Sequence, residues 1–74
     1  MQDDMFQEMV QAWGSPVVPR QKVGEFSGGL LNPRTMANLD SLGIGPKSKR
    51  RVGSRVVYRT KELAEWLEER SSKN

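Results

Sequence analysis

Asn32-Pro33-Arg34-Thr35-Met36-Ala37-Asn38-Leu39-Asp40-Ser41-Leu42-Gly43-Ile44-Gly45-Pro46 is a helix that carries its own start and stop signals. Asn32 is a strong N-cap, because its side-chain oxygen can accept a first-turn amide proton. Pro33 suits the first helical position, where its missing N–H costs nothing. Gly43 is a natural residue just past the C-cap, and Pro46 prevents a restart. At 100° per residue Met36, Leu39 and Leu42 fall within an arc of about 120°, so the spacing predicts them as the inner face. Arg34, Ala37, Asn38 and Ser41 fall on the opposite side, which is small and polar.

Upstream, Val17-Val18 is short, β-branched and extended, and Pro19 restricts Val18 to extended backbone. Pro19 fits the first turn of a helix running to about Ser27, with Val23 and Phe26 inward. The N-cap of that helix is poor, since Val18 has no side-chain acceptor. Gly24 is expected where two helices approach closely, and Gly28-Gly29 forms the turn into Asn32. Further upstream, Met5, Phe6, Met9, Val10 and Trp13 share one helical face over residues 3–13, expected to pack on the same domain. Asp3 and Asp4 favour the dipole at its start, and Gly14-Ser15-Pro16 ends it.

Downstream, Gly53-Ser54 matches a two-residue type II′ turn between strands at about Lys49–Val52 and Arg55–Tyr58. Alternation puts Val56 and Tyr58 on one face, and Arg55, Val57 and Arg59 on the other. Thr60 is expected to cap a final helix, Lys61 to about Arg70, with Leu63, Trp66 and Leu67 buried. Trp66 and Tyr58 therefore read as core. The predicted organisation is an amphipathic helix over residues 1–14, one mainly α domain with a small β-hairpin over 15–70, and a frayed tail over 71–74.

Seventy-four residues make one small domain, and a core of that size supplies only ~3–5 kcal/mol without a staple. The chain has no cysteine and no histidine, so neither a disulfide nor the usual zinc ligands can supply one. No metal or cofactor is expected. The N-terminal residues lack a signal-peptide pattern and no apolar run approaches the ~20 residues of a membrane span, which suggests a cytoplasmic protein without a membrane partner. The net charge of +3 is unevenly spread. Residues 1–14 carry −3; residues 15–61 carry ten Lys/Arg against Glu25 and Asp40, or +8; residues 62–74 carry −2. A basic centre between acidic flanks is the pattern expected for a polyanion partner.

Catalysis has little to draw on. The acids are dispersed, the serines have no histidine base, and Gly43-Ile44-Gly45 ends a helix where a phosphate loop would start one. No catalytic residue and no small-molecule substrate are assigned. Nucleic-acid binding fits better. A helix, a Gly-Gly turn and a second helix with a small polar face suit the major groove, where arginine reads guanine and asparagine reads adenine. Arg34 and Asn38 are the candidate base contacts, and Thr35 and Ser41 are candidates for groove or phosphate contacts. Lys47, Lys49, Arg50, Arg51 and Arg55 are the candidate phosphate contacts. Two other readings stay open: an RNA-binding accessory module, and a protein-interaction adaptor using the apolar face of the first helix.

Residues 18–69 resemble the excisionase-type, MerR-like winged-helix DNA-binding family of phage and mobile-element regulators. The resemblance rests on Asn32 to Leu39 with Gly43-Ile44-Gly45-Pro46, on Val52 to Arg59, and on Leu63-Ala64-Glu65-Trp66-Leu67. It implies a winged helix-turn-helix that binds double-stranded DNA, with the helix from Pro33 in the major groove and the Gly53-Ser54 hairpin as a wing. It also implies a role in excision or transcriptional regulation, and leaves self-association on DNA open. Val18 stands where that family usually has a threonine or serine cap, and Asp40 where a basic residue is frequent.

Overall fold

The structure, a computed structural model, describes residues 5–71. Asp3, Asp4 and the tail beyond Ser71 lie outside the described residues. The chain order is α1 (Met5–Trp13), β1 (Val17–Pro19), a single 3₁₀ turn (Arg20–Lys22), α2 (Val23–Ser27), α3 (Pro33–Ser41), β2 (Arg50–Val52), β3 (Arg55–Arg59) and α4 (Thr60–Ser71). The fold is a small α+β domain of four helices and a three-stranded antiparallel sheet in the order β1-β3-β2.

β3 is central because it has a partner on each side. The hairpin closes with Val52 opposite Arg55. Gly53 takes φ +64° while Ser54 keeps a negative φ, the sign pattern of a type II′ turn, whose twist matches that of the strands. On the other side Val17, Val18 and Pro19 face Arg59, Tyr58 and Val57. The expected extended Val17-Val18 segment is thus a third strand. Pro19 closes it and precedes the 3₁₀ turn, so the helix expected from Pro19 to Ser27 is divided in two. No side chain caps either piece.

Local chemistry accounts for the turn between α2 and α3 and for the two ends of α3. Ser27 is buried; its hydroxyl donates to the Val23 carbonyl at 2.7 Å and accepts the Leu31 amide at 2.9 Å, which spans the Gly28-Gly29 turn. Gly24 does not mark a helix–helix approach. Its Cα faces the Leu31 carbonyl, which an added Cβ would meet at 3.4 Å. Asn32 accepts the Thr35 amide at 2.8 Å, as an N-cap should. At the other end of α3, Gly43 takes φ +79° and donates to the Asp40 carbonyl, while Ile44 donates to the Leu39 carbonyl, both at 3.0 Å. Those two bonds form a Schellman motif.

The core consists of Val18, Val23, Phe26, Leu31, Met36, Tyr58, Leu63, Ala64 and Leu67. Phe6, Met9, Val10 and Trp13 of α1 pack against it, as their spacing predicts. Trp13 meets Phe26 edge-to-face at 5.8 Å and donates its indole N–H to the Val17 carbonyl at 2.9 Å. Met5 is the exposed member of that face.

Two expectations about caps and faces are corrected. Thr60 does not cap α4 from outside; it is the first residue of that helix and is buried. Its hydroxyl donates to the Ser15 carbonyl at 2.7 Å and its amide to the Pro16 carbonyl at 2.9 Å. Leu42, expected inside, is 71 % exposed. The inward direction of α3 is centred on Met36 and takes in Asp40, so the buried arc is turned away from Leu42, and Ala37 is half-buried instead of exposed. Trp66 is half-buried, with its indole N–H donating to the Ile44 carbonyl at 3.1 Å and Arg70 stacked 4.9 Å over its ring.

Candidate nucleic-acid interface

α3 presents Arg34, Asn38 and Ser41 to solvent, as expected of its outer face, and Thr35 beside them, while Ala37 is half-buried. The Asn32 cap and the Schellman motif fix both ends of the helix, and Met36 anchors it. The fifth polar residue behaves differently. Asp40 turns inward; its side chain is 5 % exposed, and its Oδ2 lies 2.6 Å from Arg20 Nη2 and 2.6 Å from Tyr58 Oη. Arg20 Nε donates to the same phenol at 3.0 Å, which closes a three-membered network. Asp40 therefore places no negative charge on the outer face of α3.

The electrostatics of the network follow from its geometry. Burial pushes the Tyr58 hydroxyl up to about 12, and donation to Asp40 adds to the shift while Arg20 opposes it. Arg20 is held above its ordinary value, chiefly by its bond to Tyr58 and also by Asp40, against the cost of burial. The network links the 3₁₀ turn, α3 and β3, which ties α3 to the hairpin.

Lys47, Lys49, Arg50, Arg51 and Arg55 are all exposed. The register does not place them on one surface. Facing residues of an antiparallel pair share a side of the sheet, so Arg50, Val52, Arg55, Val57, Arg59 and Val17 lie on one side. Arg51 lies on the other, with Val56, Tyr58 and Val18, the side that carries the core. Lys49 and Lys47 precede β2, which begins at Arg50. None of these cations, nor Arg34 or Arg59, forms an ion pair among the described residues. The exposed basic strip thus has two sides that meet at the hairpin tip.

Three basic or polar residues were not among the sequence candidates. Arg59 is exposed on the Arg50/Arg55 side, where period-two alternation already put it. Arg20 and Gln21 lie beside the hairpin tip, and together with Pro19, Ser54, Arg55 and Val56 they line a cleft of about 150 Å³. No periodicity could pair Arg20 with residues 20 and 38 positions away.

Among the described residues no cluster of acids could hold a metal ion. No helix among them is long and apolar enough to cross a membrane. The chain matches no protein-family model, and a comparison with curated proteins finds no significant match.

Proposed function

We propose that this protein is a winged helix-turn-helix module that binds double-stranded DNA in a sequence-specific way without a cofactor, as a small cytoplasmic excisionase-like or transcriptional regulator. One observation carries the reading. α3 exposes Arg34, Thr35, Asn38 and Ser41 along one face, while its one carboxylate is turned inward and neutralised by Arg20. A helix face that, Leu42 apart, is polar, carries one guanidinium and one carboxamide and lacks acid suits base edges in the major groove.

In this reading Arg34 and Asn38 contact bases, and Thr35 and Ser41 contact the groove wall or phosphates. Lys47, Lys49, Arg50, Arg51 and Arg55 straddle the backbone, with Arg51 on one side of the wing and Arg50 and Arg55 on the other. A wing that is cationic on both sides suits a narrow groove flanked by two phosphate rows. The acidic α4 face (Glu62, Glu65, Glu68, Glu69) points away from the duplex.

The test is selection of preferred duplexes from a random pool, followed by titration over a salt series. With four phosphates neutralised, log affinity falls against log salt with a slope of about −3.6. Binding that ignores salt, or that prefers structured RNA over every duplex, overturns the reading.

A further inference from the structure

The cleft at the hairpin tip exists because β1 stops early. β1 faces only Val57 to Arg59. At Pro19 the chain leaves the sheet for the 3₁₀ turn, and β3 continues without a neighbour on that side as far as Arg55. Backbone direction alternates along a strand. The Thr60 amide bonds the Pro16 carbonyl across the β1 side, so the amides of Tyr58 and Val56 turn the same way. The Val56 N–H therefore points to the side that β1 has vacated, where Arg20, Gln21, Ser54 and Arg55 gather around a space of about 150 Å³. That is room for roughly five water molecules at ~30 Å³ each.

The lining is all donor or neutral. Its residues are Pro19, Arg20, Gln21, Ser54, Arg55 and Val56, with no acid among them. The Arg20 guanidinium is already held in place. Arg20 is 23 % exposed, its Nε is bonded to Tyr58 and its Nη2 to Asp40. Those bonds use one edge of the planar fork and leave the Nη1 donors for a second partner. A guanidinium fixed by a carboxylate and a phenol loses less freedom on binding than a loose one. The second arginine, Arg55, is the first residue of β3 and leaves the strand on the face opposite Tyr58. The two arginines therefore line the vacated edge from opposite faces of the sheet.

We propose that this cleft is a seat for one backbone phosphodiester of the bound duplex, with Arg20 and Arg55 as its cationic walls and Gln21, Ser54 and the Val56 amide as neutral donors. The proposal rests on the DNA-binding reading above and deepens it: it assigns Arg20, Gln21 and Ser54 to the interface and makes Asp40 and Tyr58 positioning residues that act through Arg20. It also accounts for an acid on α3 that would otherwise weaken a DNA-facing helix.

The experiment scans the selected duplex with single methylphosphonate substitutions, each removing one backbone charge, against the full-length chain and its R55Q, Q21A and R20Q variants. Wild type should lose about tenfold in affinity at one phosphate near the wing, and that position should become silent in R55Q and in R20Q. The salt slope should fall by about 0.9 in each charge variant. Because R20Q leaves Asp40 without its cation and can fail to fold, R55Q and Q21A, which touch no core group, carry the test alone if it does. Q21A should shrink the loss at that phosphate with the salt slope unchanged. If it keeps the wild-type substitution profile, the seat is overturned while DNA binding stands. Q21A decides because R55Q silences a phosphate even where Arg55 acts as a lone wing contact. If wild type binds no duplex, both readings fall.

Discussion

The phenol of Tyr58 donates to the carboxylate of Asp40 at 2.6 Å, a bond between residues 18 positions apart. It joins the middle strand of the sheet to the last turn of α3, and Arg20 completes it from the 3₁₀ turn. This contact ties α3 to the sheet, alongside the anchoring of the helix by buried Met36.

Tyr58 is the only tyrosine, so its ionisation can be followed directly by phenolate absorbance. Its value in the folded protein is raised to about 12 from an ordinary 10.0. A raised value means that the neutral form is favoured by folding. The associated stability is fully present below pH ~10 and is lost as pH rises towards ~12, on the order of 2 kcal/mol. Asp40→Asn should lower the midpoint, though not to 10, because burial remains. An unchanged midpoint would remove Asp40 from the network.

Gly45→Ala should be costly for a reason outside its own turn. A Cβ there would run into the Asp40 carboxylate, which Arg20 and Tyr58 hold in place. The expected loss is about 1–3 kcal/mol in urea unfolding. In an Asp40→Ala background the same substitution should cost far less, and equal costs in both backgrounds would show that the carboxylate is not the obstacle.

Asn32→Ala removes the acceptor for the Thr35 amide. Thermal unfolding should show a loss of about 1 kcal/mol, or ~4–8 °C, with Asn32→Ser nearly neutral. A serine variant as unstable as the alanine one would argue against capping as the cause.

The rotation of the buried face of α3 can be read from two substitutions. Met36 is fully buried, so Met36→Ala should cost ~2–5 kcal/mol. Leu42→Gln should stay within about 0.5 kcal/mol of wild type, as an exposed position does. A large loss at Leu42 would restore it to the core.

On DNA, Asn38→Ala should erase discrimination at one base position, worth ~1–3 kcal/mol. Arg51→Ala should weaken all duplexes by a similar factor and reduce the salt slope by about 0.9. The opposite pattern in binding titrations would exchange the two roles.

The sequence by itself determined the features whose signals lie within a few residues of one another. Asn32 and Thr35, Gly43 with Leu39 and Asp40, the Gly53-Ser54 turn and the Leu63/Leu67 stripe all depend on local geometry, which the chain repeats wherever those residues stand. The exposure of Arg34, Asn38 and Ser41 was legible for the same reason, whereas Ala37, read as outward with them, is half-buried. Tertiary structure alone decided the direction of Asp40, the exposure of Leu42 and the docking of Val17 and Val18 on β3. Periodicity names a helical face only by its apolar residues, so it assigns a carboxylate to water. Arg20 and Tyr58, brought from 20 and 18 positions away, supply the charge and the hydrogen bond that offset the cost of burying that carboxylate, and the outer face of α3 turns with it.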